Sequence, residues 1–120
     1  MAKKILLVDD EPDILKVTAF RLEKNGYEVF TVLNGKEALG LLKKKTPNLI
    51  FLDLILPQMS GHELCKRIKM EDRLKDIPII LFTASATHVR EKVRALGANG
   101  FLLKPFSPEE LLSKVKEFLG

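Results

Sequence analysis

Five side chains of this 120-residue sequence could do chemistry together: Asp9, Asp10, Asp53, Thr83 and Lys104. They stand where short apolar runs stop. Asp9-Asp10 follows KILLV, Asp53 follows LIFL, Thr83 follows PIILF and Lys104 follows GFLL. An unpaired carboxylate in such company costs several kcal/mol or stays protonated, so Asp53 in IFLDLILPQMSG needs partners. Three carboxylates brought close repel one another, and at least one titrates high unless a cation joins them. An all-oxygen set with few protein ligands suits Mg²⁺, which keeps several waters and bridges to phosphate. No His or Cys stands among these residues, which argues against zinc or copper. Lys104 is a point charge suited to an anionic oxygen, and the Thr83 hydroxyl can donate to one. Carboxylate, divalent cation, ammonium and hydroxyl are the parts that phosphoryl transfer needs, because that chemistry is mostly positioning and charge stabilisation. A carboxylate can itself be the nucleophile, giving an aspartyl phosphate.

These groups can meet only if the runs before them are neighbouring strands. The chain predicts this, because strand-like runs alternate with helical patterns five times. Lys4 to Val8 is continuous and apolar, as a strand covered on both faces should be. A helix over Asp13–Asn25 follows, with Pro12 at its start and Gly26 at its stop. Glu28 to Val32 is shorter and more mixed, an edge strand. Asn34 with Glu37 resembles a capping box, and the helix behind it carries Ala38, Leu41 and Leu42 on one side. Leu49 to Leu52 is a buried strand. Ser60 with Glu63 is a second box, opening a helix with a Leu64–Ile68 stripe. Strands over Pro78–Phe82 and Gly100–Leu103 flank a weakly capped helix over Thr87–Leu96, which Gly97 ends. Ser107-Pro108-Glu109-Glu110 is the strongest helix start, followed by Leu111, Val115, Phe118 and Leu119 at helical spacing. Repeated β-α units imply an α/β fold with a parallel sheet, helices on both faces and a ligand site outside the carboxyl ends of the strands.

The totals agree with one soluble globular domain. Hydrophobic residues make up 46% and charged residues 30% of the chain, and no apolar run approaches the roughly 20 residues of a membrane span. The start, MAKKILLVDDEPD, lacks the apolar core of a signal peptide, which points to the cytoplasm. The single Cys65 permits no internal disulfide and reads as a small half-buried hydrophobe on a helix. The net charge of +4 comes from lysines spread over most helices. Only Lys43-Lys44-Lys45 is dense, and it reads as a solvated helix end without interleaved aromatics, so no nucleic-acid site is expected. His62 and His88 read as solvated helix residues.

Four stretches, LLVDDEP, LDLILPQMSG, LFTASA and FLLKPF, stand in one order across the whole chain. Together they resemble the receiver domain of two-component response regulators, close in plan to the single-domain chemotaxis type. The resemblance implies a five-stranded parallel, flavodoxin-like sheet of order 2-1-3-4-5, one domain over residues 1–120 and no output domain. It implies that Asp53 accepts a phosphoryl group from a phosphohistidine on a histidine kinase or phosphotransfer protein. Asp10, Asp53 and the backbone carbonyl of Ile55 would ligate Mg²⁺, with Asp9 acting mainly through water. Lys104, the Thr83 hydroxyl and the Ala84 backbone N–H would bind phosphoryl oxygens. Thr83 and Phe101 would form the switch, although Phe101 reads equally as core. The helix from Thr87, the strand through Phe101 and the last helix would face a downstream effector. A cis Lys104-Pro105 bond is also implied. Pro57 and Gly61 need do no more than shape a turn.

The sequence departs from the family at Ile55 and Ser85. Side chains two residues beyond the phosphoacceptor and beyond the threonine tune dephosphorylation there. An apolar Ile and a short Ser position water poorly, which predicts a long-lived phosphoryl group. Phe101 lacks the hydroxyl of the commoner Tyr, so its switching would rest on packing. An aspartate-nucleophile phosphatase of the haloacid dehalogenase type needs a second acid where Ile55 stands. A flavodoxin-type flavin carrier needs a phosphate loop where Asp9-Asp10-Glu11 stands. A degenerate receiver acting as a scaffold is the third alternative. The first expectation is thus a phosphoacceptor rather than an enzyme, either monomeric or dimerising when phosphorylated.

Overall fold

The computed structural model describes residues 2–120. It contains β1 (Lys4–Val8), α1 (Pro12–Lys24), β2 (Glu28–Val32), α2 (Gly35–Leu42), β3 (Leu49–Asp53), α3 (Gly61–Lys69), β4 (Ile79–Thr83), α4 (Val89–Leu96), β5 (Gly100–Leu103) and α5 (Pro108–Leu119). The strands form one parallel sheet in the order β2-β1-β3-β4-β5. This is the expected α/β, flavodoxin-like arrangement, with β2 at the edge. No helix among the described residues is long and apolar enough to cross a membrane.

The apolar runs are continuous because successive side chains enter two different cores. Leu6, Val8, Ile50, Leu52, Ile79 and Leu81 pack on one face with Ala38, Leu42, Leu64 and Ile68 of α2 and α3. Ile5, Leu7, Leu49, Phe51, Ile80 and Phe82 pack on the other with Leu15, Leu22, Leu111 and Val115 of α1 and α5. Each such side chain, fully buried, stabilises by roughly 1.5–3 kcal/mol. Cys65 belongs to the first core and is fully buried rather than half-buried. Burial pushes its thiol pKa up, which makes it inert.

The caps decide where the helices begin. Asn34 accepts the Glu37 N–H at 2.8 Å, and the Glu37 carboxylate reaches back to the Leu33 N–H at 3.0 Å. Ser107 and Glu110 complete a reciprocal box. Ser60 caps Glu63, whose carboxylate turns instead to Arg67, 2.9 Å away, so this box is half made. Pro12 is the first residue of α1, one earlier than expected, with Glu11 at the N-cap. The helix expected from Thr87 begins only at Val89, because His88 takes a left-handed φ of 53° and provides no side-chain cap. The Lys104-Pro105 bond is cis, as expected.

Candidate functional site

The pairing register sets the site. Val8 lies beside Leu52, and Asp53 beside Phe82. The residues that end β1, β3, β4 and β5 therefore share one rim. Three of the expected side chains meet there directly. The Lys104 ammonium lies 2.5 Å from Asp9 Oδ2 and 3.0 Å from Asp53 Oδ2. The remaining oxygens are also satisfied, since Asp9 Oδ1 accepts the Glu11 N–H and Asp53 Oδ1 accepts the Ile55 N–H, each at 2.9 Å. These bonds explain how Asp9, fully buried, and Asp53, 7% exposed, stand at the edge of an apolar sheet.

Backbone contacts fix the groups that carry this pairing. The Lys104 N–H donates to the Thr83 carbonyl at 2.8 Å, which anchors the end of β5 to β4. The Lys104 ammonium passes over the Phe82 ring, 5.7 Å from its centre, and Phe82 stacks on Phe106. These rings help hold the side chain to 10% exposure. Burial opposes the Lys104 charge. Hydrogen bonds to Asp9 and Asp53, with their negative charges, outweigh it and hold the ammonium above its ordinary pKa. For Asp9 the balance is reversed: burial pushes its carboxyl up, and Lys104 with the Glu11 N–H only partly offsets the rise.

The other expected residues differ in burial and in what they contact. Asp10 is exposed at the open side of the rim. Oxygens of Asp9, Asp10, Glu11 and Asp53 lie within 4.8 Å of one another, a hard-oxygen set that fits a divalent cation such as Mg²⁺. Thr83 is buried, and its hydroxyl is engaged locally: Oγ1 accepts the Ser85 N–H at 3.1 Å and lies 3.3 Å from the Ser85 carbonyl. Ala84 is exposed beside it. Ile55 is 79% exposed, and its apolar side chain carries no group that could hydrogen-bond a water at the site. Phe101 pairs with Leu81, two positions before the strand ends, and lies half-buried against the first core. The Arg90 guanidinium sits 5.6 Å from the centre of its ring.

Two residues take on more than their sequence reading suggests. Glu11, given no role of its own from the sequence, brings Oε1 within 3.4 Å of the Lys104 ammonium. Gly61, read as a turn residue, packs so closely that a Cβ on it would lie 2.3 Å from the Asp53 carbonyl oxygen. Its position in an Asp-x-x-x-Pro-x-x-Ser-Gly stretch was the available signal. The close approach itself is tertiary.

A family model for the response regulator receiver domain matches residues 5–116. Among curated relatives, the alkaline phosphatase synthesis transcriptional regulatory protein PhoP of Bacillus subtilis (strain 168) is 40% identical over 121 residues, 99% of this chain and 49% of its own length. The phosphate regulon transcriptional regulatory protein PhoB of Rhizobium meliloti (strain 1021) is also 40% identical, over 99% of this chain and 53% of its own. This chain thus spans about half the length of the curated relatives it matches. Chemotaxis response regulator CheY4 of Vibrio cholerae superposes with a TM-score of 0.93 at 35% identity, covering 99% of this chain and all of that one. The receiver domain of sensor histidine kinase PA1611 from Pseudomonas aeruginosa PAO1, solved with a magnesium ion in its active-site cleft, gives 0.90 at 30% identity, covering 98% of each chain.

Proposed function

The chain belongs to the response regulator receiver domain family, and from that premise we propose that Asp53 accepts a phosphoryl group from a phosphohistidine of a histidine kinase or phosphotransfer protein. The observation that carries the proposal is the Lys104 ammonium bridging Asp9 and Asp53 at the carboxyl rim of the sheet. An Asp53 carboxylate oxygen attacks phosphorus, the N–P bond breaks, and its electron pair stays on the imidazole nitrogen. Lys104 neutralises charge on the transferring group, and Asp9 holds Lys104 in line. The carboxylates of Asp9, Asp10 and Asp53, with the Ile55 backbone carbonyl, would hold Mg²⁺, which when bound neutralises charge that the phosphoryl oxygens bring in. The Ala84 N–H and the Thr83 hydroxyl complete the phosphoryl cradle.

The resting bond between Thr83 and Ser85 gives the switch its first step. Drawing the hydroxyl toward a phosphoryl oxygen releases the loop that leads to His88 and α4. Phe101, half-buried under Arg90, then turns inward, and the α4-β5-α5 face carries the state to an effector protein or the phosphate passes along a relay. The domain is a phosphoacceptor that catalyses its own labelling and decay, not an enzyme with turnover, and its scattered lysines make no nucleic-acid site of their own.

Mass spectrometry after incubation with acetyl phosphate and Mg²⁺ tests this. Wild type should gain one phosphoryl mass and Asp53→Asn none. Equal labelling of both, or no labelling of wild type where a control receiver is labelled, would overturn the assignment. The latter result would favour a degenerate scaffold.

A further inference from the structure

Glu11 has no part in the transfer just described, yet it lies within reach of it. Three carboxylates share the Lys104 ammonium, those of Asp9, Asp53 and Glu11. An ammonium has three N–H donors, so a phosphoryl oxygen arriving on Asp53 must take one already engaged. Asp9 cannot yield, being fully buried and pinned by the Glu11 N–H. The Glu11 side chain is 57% exposed and its contact, 3.4 Å, is the longest of the three. It is the partner that can swing into water. Its charge acts as well. Four carboxylates lie within 4.8 Å of one another and one ammonium joins three of them, so removing one weakens the pull on a cation and eases the approach of an anion.

We propose that Glu11 is a positioning residue that holds Lys104 at rest and trades divalent-cation affinity against the speed of phosphoryl entry. This rests on Asp53 being the phosphoacceptor. The labelling step is attack of an Asp53 oxygen on the phosphorus of acetyl phosphate, with the P–O bond breaking and its electron pair leaving on acetate.

Two readouts on Glu11→Gln test the trade. Calorimetric titration with MgCl₂ should show affinity about three- to tenfold weaker, the effect of one partly solvated charge a few ångströms away. Labelling by acetyl phosphate at saturating Mg²⁺ should be faster by about the same factor. A distorted fold would lower both, so the opposite signs separate this role from a structural one. Asp13→Asn, in the first turn of α1 but outside the carboxylate cluster, should change neither. Unchanged Mg²⁺ affinity, or labelling that is not faster, would overturn the proposal while leaving Asp53 as acceptor. So would the same two shifts in Asp13→Asn, because surface charge alone would then explain them. A wild type that takes no phosphoryl group would overturn both.

Discussion

Gly61→Ala should damage stability and phosphorylation together. Gly61 opens α3 with its N–H donating to the Leu54 carbonyl at 2.9 Å. A Cβ there would lie 2.3 Å from the Asp53 carbonyl oxygen and 2.5 Å from Leu54 Cα, where real Cβ contacts essentially never fall below 3.0 Å. Both neighbours are backbone, so no rotamer relieves the clash. Either α3 or the end of β3 must retreat by at least 0.7 Å, the difference between 3.0 and 2.3. Overpacking of this kind costs about 1–3 kcal/mol. An unfolding entropy of about 2.1 cal/mol/K per residue gives about 0.25 kcal/mol/K for this chain, so Tm should fall by about 4–12 °C. The displaced atom belongs to the proposed phosphoacceptor, and a misplacement near 1 Å costs up to about a hundredfold in rate. Differential scanning calorimetry and timed acetyl phosphate labelling read the two effects. Gly40→Ala is the contrast, because a Cβ there meets nothing within 4 Å. Inside α2 it should raise stability by about 0.5–1 kcal/mol. If Gly61→Ala melts within about 2 °C of wild type, the shift that 0.5 kcal/mol produces, and labels at the wild-type rate, the packing argument is wrong.

Three further outcomes are expected. Mg²⁺ at tenfold its dissociation constant should stabilise by about 1.4 kcal/mol, a rise of about 5–6 °C. A melt in MgCl₂ that matches the melt in EDTA would speak against the carboxylate cluster as a cation site. Asp9→Asn should raise Tm in EDTA at pH 7.5, since burial holds the Asp9 carboxyl above its ordinary pKa. A raised pKa contributes stability that is present below the unfolded value and lost as pH rises through the folded one. The advantage of the variant should therefore shrink as pH falls toward 4, and a variant less stable at pH 7.5 would contradict the sign. Ile55→Asn and Ser85→Glu should each shorten the life of the phosphoryl group on Asp53, followed as loss of the phosphorylated mass after donor removal. Unchanged decay in both would dismiss the idea that these two side chains withhold help from water.

The sheet was legible because parallel strands covered on both sides must be apolar at every position, which is how Lys4–Val8 and Leu49–Leu52 read. Their carboxyl ends were legible for the converse reason. A charged residue straight after such a run has no solvated face to explain it, so Asp9, Asp53 and Lys104 pointed to one another before any contact was known. What stayed hidden lay in contacts between distant segments or in unfavoured backbone. Nothing local tells that Glu11 reaches Lys104 across 93 positions, or that α3 begins against the Asp53 carbonyl. The start of α4 was misplaced by two residues because His88 holds a left-handed conformation, which only a few per cent of non-glycine residues take.

The site that results is unbalanced on purpose of charge rather than of shape. Every oxygen of Asp9 and Asp53 has a partner in the resting domain, so the fold needs no ligand to satisfy its hydrogen bonds. Charge is another matter, with Asp10 and Glu11 adding two exposed carboxylates that Lys104 cannot neutralise. A divalent cation held there would correct that excess, and a phosphoryl group on Asp53 would restore part of it. On the proposed function, the same rim folds without either, yet responds to both. That follows from burying the hydrogen-bonded pair, Asp9 with Lys104, and leaving the surplus charge on Asp10 and Glu11 at the open edge.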